Sequence, residues 1–240
     1  MNHNDISPII INELLNLRDE HKAEFFQSFF KTGPGQYGEG DKFLGISNPQ
    51  IRQVAKEYYK QISNDDIKKL LRNDWHEIRL CTLVMMNTIM PKASPSRQQE
   101  IYNIYIDNIS RYVNNWDLVD ISAPHVIGYF LQNHDREVLY SLATGNLWEK
   151  RVAIISTLAF VRHNDFTDAM KLSEILMYEK HDLLHKAVGW VMREIGKRDL
   201  EKLEFLLDKY ASTMPRTTLR YAIEKFNKEK RSVYLSLRKK

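Results

Sequence analysis

Cysteine is almost missing from this chain: one in 240 residues cannot build a disulfide framework. Cys81 lies in the apolar run LCTLVMM, where a reduced core thiol is expected, and this usage points to a cytoplasmic setting. No stretch reaches the roughly 18 uninterrupted apolar residues of a membrane helix, and MNHNDISP lacks a basic segment followed by an apolar one. A soluble protein with no membrane partner is the expectation. Alternating apolar and polar runs are nearly absent, which argues against sheet folds. Glycine is sparse, nine residues, yet four of them crowd into KTGPGQYGEGD, residues 31–41. Gly33, Gly35 and Gly38 spell GxGxxG, but the dinucleotide fingerprint needs a preceding strand. Here a helix precedes and Pro34 interrupts, so a mobile loop that touches a ligand is the better reading. His181 and His185 have a helical metal-ligand spacing but no HExxH glutamate and no third ligand; surface or capping roles are expected, with no metal and no cofactor. A GxSxG elbow and a Cys/His dyad are also missing.

What the chain has is helix. Hydrophobic residues make up 43% and charged residues 28%, a globular balance with enough chain for a substantial core. Helix starts are signalled at Asn48-Pro49, Ser94-Pro95, Ser122 ahead of Pro124, Asn146, Asp182 and Met214-Pro215. About fourteen helices of roughly 8 to 18 residues follow from the 3.6-residue periodicity. Arg79 in WHEIRL and Arg151 in LWEKRV hold matching places, and turns near Asn115 and Ala187 divide the interval into equal steps. A repeat in the high thirties is that of HEAT and armadillo helix pairs. The expectation is an all-α superhelical solenoid of about six antiparallel helix pairs, one domain over residues 1–240, with a concave surface. The net charge is +4, but residues 216–240 hold nine lysines and arginines against Glu224 and Glu229. Such a basic end suits a polyanion or is a solvated tail.

Two clusters stand out. Trp116 and Asp120, four apart in NNWDLVD, share a helix face. In HKAVGWVMREIGK, Lys186, Trp190, Arg193 and Lys197 form one stripe, while Leu184, Val188, Val191 and Ile195 form another about 200° around the helix. A tryptophan set outward among three cations points to nucleic acid. Each residue alone has a plainer role: Asp120 as a cap, Trp116 as core, Arg151 as a first-turn arginine. Their shared placement at successive repeats favours function.

The segments FLGI (43–46), NNWDLVDISAP (114–124), LWEKRVAI (147–154), HKAVGWVMRE (185–194) and MPRTTLRYAIEKF (214–226) together resemble the AlkD family of bacterial alkylpurine DNA glycosylases. The resemblance implies a HEAT-like superhelix that binds duplex DNA as a monomer. It implies hydrolysis of the N-glycosidic bond of cationic N3- and N7-alkylated purines such as 3-methyladenine and 7-methylguanine, leaving an abasic site. Carried over residue by residue, the catalytic carboxylate falls on Asp120, its neighbouring aromatic on Trp116, the cleft arginine on Arg151 and the second aromatic on Trp190. Arg193 matches a further arginine. The resemblance also implies that the lesion stays in the duplex.

The chemistry fits these residue types. An alkylated purine already carries positive charge, so cleavage needs little acid; it needs a carboxylate to stabilise an oxocarbenium-like sugar and to position water. Indoles offer faces to that cation and exclude water. Lys186, Arg193, Lys197, Arg151, Arg216 and Arg220 are the expected DNA-backbone contacts. Two other functions suit the same fold, a HEAT-repeat protein that binds DNA structure without excising a base and a protein-interaction scaffold.

Overall fold

The computed structural model describes residues 5–237. Among these the chain is all-helical, with seventeen α-helices and one isolated bridge, Lys42 with Trp75, outside them. Arg238, Lys239 and Lys240 of the basic end, and the first four residues of the MNHNDISP start, lie outside the described residues. None of the described helices is long and apolar enough to cross a membrane. The sequence suggests one continuous repeat domain; the chain packs as two compact units, Met1–Phe130 and Leu131–Lys240.

The first unit holds α1 (Ser7–Asn16), α2 (Glu20–Phe29), α3 (Asn48–Tyr58), α4 (Asn64–Leu71), α5 (His76–Ile89), α6 (Pro95–Ile106), α7 (Ile109–Tyr112) and α8 (Trp116–Ser122). A 3-10 turn, Met90–Lys92, follows α5, and a π-turn, Pro124–Gly128, follows α8. The three residues of α9 (Tyr129–Leu131) carry the chain into the second unit. At the centre of the first unit is α5, packed by α1, α3, α4 and α8. It is buried nearly all round, with His76, Glu77 and Arg79 enclosed beside Ile78, Leu83 and Met85. A helix enclosed on every side must give each polar side chain a partner. Cys81 is a buried free thiol, pushed up to about 12 by burial.

In the second unit are α10 (Glu137–Leu142), α11 (Leu147–Ser156), α12 (Leu158–Val161), α13 (Thr167–Leu176), α14 (Asp182–Gly196), α15 (Leu200–Tyr210), α16 (Arg216–Ala222) and α17 (Lys228–Ser236). Its central helix is α14, against which α11, α13, α15 and α16 pack. Leu184, Val188, Val191 and Ile195 are fully buried, as their stripe requires. Gly189 lets α16 come close: a Cβ there would lie 2.5 Å from the Thr218 carbonyl oxygen and from Tyr221 Cβ.

Several long-range side-chain bonds span 35 or 36 residues, the step read from the sequence. Arg72 Nε donates to Asn108 Oδ1 at 2.9 Å, 36 residues on, and Arg97 reaches the Ile62 carbonyl, 35 residues back. In the second unit Tyr210 donates to Glu174, 36 residues away, at 2.8 Å. Stacked helix pairs of that period place such residues side by side.

Several helix starts differ by a residue from the sequence reading. Ser47 rather than Asn48 caps α3, in a capping box with Gln50. His181 caps α14 by accepting from the Leu183 amide, leaving Asp182 as the first helical residue. Ser122 ends α8 rather than opening a helix, its hydroxyl donating to the Leu118 carbonyl. Ser94 and Asn146 cap α6 and α11 as expected. Residues 31–41 form a compact series of turns: Gly38 N donates to the Lys31 carbonyl at 3.0 Å and Gly35 N to Glu39 Oε2 at 2.9 Å.

Candidate functional site

The clearest constellation lies in the first unit, where α2, the chain after it, α5 and α8 meet around one imidazole. His76 opens α5 and is 1% exposed. Its Nδ1 lies 2.7 Å from Asp41 Oδ2 and its Nε2 2.8 Å from Asp117 Oδ2. Carboxylates accept only, so both ring nitrogens must donate, and that requires the imidazolium. Burial would lower the His76 pKa, but Asp117 and then Asp41 outweigh it and hold the group at about 9. Asp41 is itself brought down to about 2: burial would raise it, and His76 and Arg79 overcome that. Arg79 Nη2 donates to Asp41 Oδ1, and its Nη1 to the carbonyls of Asn73 and Asp74 at 3.0 Å each. Asp41 is the last residue of the glycine-rich segment, so that segment delivers a buried anion to α5.

Glu77, next along α5, spends its charge on the backbone of FLGI. It accepts from the amides of Leu44 and Gly45 at 2.8 Å each and of Ile46 at 3.3 Å. Gly45 has φ +82°, and a Cβ there would meet the Asp19 carbonyl oxygen at 2.1 Å. That conformation and that contact explain the glycine in the motif.

Aromatic rings cover this charged floor. Phe43 stacks on the His76 imidazole with ring centroids 4.4 Å apart, Phe30 on Phe43 at 4.9 Å, and Trp116 on Phe30 at 5.3 Å. Phe29 meets Trp116 edge-on at 6.0 Å. The sequence FFQSFF of α2 puts Phe25 and Phe29 one turn apart, stacked at 5.9 Å, with 62% and 51% of their surface exposed. A cavity of about 340 Å³ opens among these rings, with His76, Asp117 and Asn48 also on its wall.

Trp116 is therefore half-buried in an aromatic cluster and not displayed alone on a free face, as its spacing suggested. Asn115 caps α8, accepting from the Trp116 amide at 2.9 Å, while its Nδ2 donates to Asp41 at 3.4 Å. The cap ties Trp116 to the His76 network. Asp120, one turn along α8, is half-buried. Pro124 has no N–H to give the Asp120 carbonyl, and the chain widens there into the π-turn, with Gly128 N bonded to the Ala123 carbonyl at 2.8 Å. Beneath α8, burial and secondarily the charge of Asp120 push the Tyr105 hydroxyl pKa up. Tyr105 donates to Ser122 Oγ at 2.8 Å, since the Ser122 proton is already given to Leu118.

The remaining expected site residues lie in the second unit. Trp190 is half-buried on α14, opposite the apolar stripe. Arg151 is 4% exposed, and its guanidinium donates to the Leu183 carbonyl at the start of α14. The phosphate contact expected of Arg151 sits poorly with this enclosure, and the bond to Leu183 joins α11 to the helix that carries Trp190. Lys186 pairs with Asp182 at 2.7 Å, Lys197 with Glu194 at 2.7 Å, and Arg193 with Glu224. Surface pairs of this kind contribute little, so a phosphate can displace the carboxylate at small cost. Arg216 donates to the carbonyls of Leu235 at 2.6 Å and Leu237 at 3.1 Å, which makes it a clamp on α17. Arg220 is exposed.

Sequence reasoning missed His76, Asp41 and Asp117. The WD doublet at 116–117 and the HE of WHEIRL were the available signals, but neither shows that residues 35 and 41 apart would meet.

No curated protein matches this sequence. Among solved structures, a "predicted DNA alkylation repair enzyme" from Enterococcus faecalis is similar in fold, with a TM-score of 0.69 at 15% identity over 88% of this chain and 97% of that one. The family model described as DNA alkylation repair enzyme matches residues 10–226. That span contains both units' helical cores and every candidate residue named above, and on it the chain belongs to the family of DNA alkylation repair enzymes.

Proposed function

We propose that this protein is a monofunctional DNA glycosylase that hydrolyses the N-glycosidic bond of cationic N3- and N7-alkylated purines, 3-methyladenine and 7-methylguanine among them, in duplex DNA, acting as a monomer in the cytoplasm. The observation that carries this is the placement of Asp120 one helical turn from Trp116 on α8, in a chain of the alkylation-repair family. The carboxylate stabilises positive charge growing on the deoxyribose and orients the attacking water. Trp116 supplies a ring face that favours the cationic sugar, and Trp190 is the aromatic of the second unit's DNA-facing stripe. Lys186, Arg193, Lys197 and Arg220 contact phosphates, and Arg151 and Arg216 act by positioning α14 and α17. No metal or cofactor enters the chemistry, because the leaving base is activated by its own charge.

The test is release of 7-methylguanine from methylated duplex under single-turnover conditions. Asp120→Asn should slow release by roughly a hundredfold or more, the scale of losing one electrostatic group from a reacting centre. An Asp120→Asn rate equal to that of the unaltered protein would remove Asp120 from the mechanism. Absence of any released base from the unaltered protein would instead favour the binding-only alternative.

A further inference from the structure

Resting on that reading and deepening it, we infer that the solvent-exposed face of α3 is a DNA-backbone contact of the first unit. Arg52, Lys56 and Lys60, joined by Lys92 across Tyr59, bind the phosphates of one strand a few base pairs from the reacting centre.

The stripe follows from spacing. α3 buries Ile51, Val54 and Ala55, so Arg52, Lys56 and Lys60, at successive steps of four, fall on the opposite side and are exposed. From Arg52 to Lys60 is about 12 Å at helical rise. One strand of a duplex presents a phosphate about every 3.4 Å of axis, so a row of that length meets three or four of them. Tyr59 shares the face, with Lys60 Nζ 5.9 Å from its ring centroid. Lys92, on the 3-10 turn after α5, brings a fourth ammonium to the same ring at 4.9 Å.

Nothing balances these cations. On the helices before and after α3, Lys22 is matched to Asp19, Lys68 to Asp65 and Lys69 to Asp5. Arg52, Lys56, Lys60 and Lys92 form no ion pair among the described residues, and Glu57 is the one acid in α3. Like charges gathered without a counter-charge repel one another, and a polyanion turns that repulsion into attraction with release of counterions.

The surroundings favour DNA over an anionic lipid surface. A helix that lies on a membrane pairs its cations with exposed apolar side chains, whereas the exposed neighbours of this stripe are Gln53, Glu57 and Gln61. At its start α3 carries Asn48, which lies on the same cavity wall as Trp116 and Asp117. A duplex that meets α8 at Trp116 therefore reaches the stripe by continuing along α3. Asn48 to Lys60 is about 18 Å, or about five base pairs.

The full-length protein is titrated with an unmodified duplex of about 20 base pairs at several salt concentrations, following fluorescence anisotropy of the DNA. Combining Arg52→Gln, Lys56→Gln and Lys60→Gln should weaken binding at least tenfold and flatten the log-log salt slope by about 2.7, or 0.9 for each lost contact. Lys92→Gln alone should flatten it by about 0.9, and Arg52→Lys should leave it unchanged. A charge-matched control, Lys22→Gln with Lys68→Gln and Lys209→Gln, removes cations already paired with acids and should keep the full slope. With the protein saturating, the triple variant should release 7-methylguanine at the unaltered single-turnover rate, because the stripe acts in binding alone. A triple variant that binds with unaltered affinity and slope, or a control that loses as much, would overturn the assignment. So would phosphatidylserine vesicles that bind the unaltered protein and not the triple variant while duplex binds both alike. The two readings separate. If Asp120→Asn abolishes release while the triple variant binds duplex as the unaltered protein does, the stripe is wrong and the glycosylase stands. If the unaltered protein excises nothing yet duplex binding depends on the stripe as described, the stripe stands and the glycosylase falls.

Discussion

His76 gives the structure a measurable dependence on pH. In the folded chain its imidazolium donates to two carboxylates, and its pKa stands at about 9 against an ordinary 6.5. A group raised on folding contributes its full stabilisation below the unfolded value and loses it as pH climbs to the folded one. The window is therefore pH 6.5 to 9. At about 1.4 kcal/mol per pKa unit the loss is on the order of 3 kcal/mol. Asp41, held down to about 2, behaves oppositely: its contribution is present above 3.8 and disappears only as pH falls toward 2, so it is constant across the window. Cys81, raised from 9.0 to about 12, enters only above pH 9, and His181, lowered by burial, acts below 6.5. Urea unfolding at several pH values should show stability falling by about 3 kcal/mol between pH 6.5 and 9 for the unaltered protein. The same measurement on His76→Gln, less stable at pH 6 because Asp41 and Asp117 then face each other without the cation, should lack that fall. Parallel curves for the two proteins would refute the assignment of a buried imidazolium.

Other consequences follow in the second unit. Gly189→Ala pushes a methyl to 2.5 Å from the Thr218 carbonyl oxygen, so unfolding should show a loss of about 1–3 kcal/mol as α14 and α16 separate; an unchanged denaturation midpoint would contradict the close packing. The two arginines of α16 should part company. Arg220→Gln should lower DNA affinity and reduce the log-log salt slope by about 0.9 at unchanged stability, whereas Arg216→Gln should loosen α17, seen as faster amide exchange near Tyr234. Identical effects from both would mean the clamp on Leu235 and Leu237 is unimportant.

The fold was legible because its signals are local or periodic. Caps such as Ser94 and Asn146 act within three residues, and the apolar stripe Leu184, Val188, Val191 and Ile195 declares its buried face by spacing alone. The spacing near 36 residues is matched by bonds such as Arg72 to Asn108. Residue choice within the stripes was harder to read. Arg151 and Arg216 look like surface cations, yet a guanidinium carries five N–H donors on a long stem and can be drawn inward to backbone carbonyls: Arg216 to that of Leu235 in the last turn of α17, where no intrahelical partner remains, and Arg151 to that of Leu183 in the first turn of α14.

The glycine-rich segment shows why the site was less legible than the fold. Its GxGxxG spelling invites a phosphate-cradling reading, and rejecting that reading leaves a mobile loop beside a ligand, with no hint of a structural role. What gives the segment its importance is its last residue. Asp41 is a lone carboxylate in sequence, but at that point the chain crosses α5, and there it meets His76, Arg79 and the Asn115 cap. Those partners link the glycine-rich segment to α5 and α8, so the position of Trp116, and of Asp120 one turn beyond it, depends on an anion some 75 residues upstream. A helix stripe can be read from one segment; a buried charge balance requires all the segments at once. The network therefore holds Trp116 and Asp120 in place, and a change at Asp41 should disturb Trp116 before it disturbs the α3–α5 core.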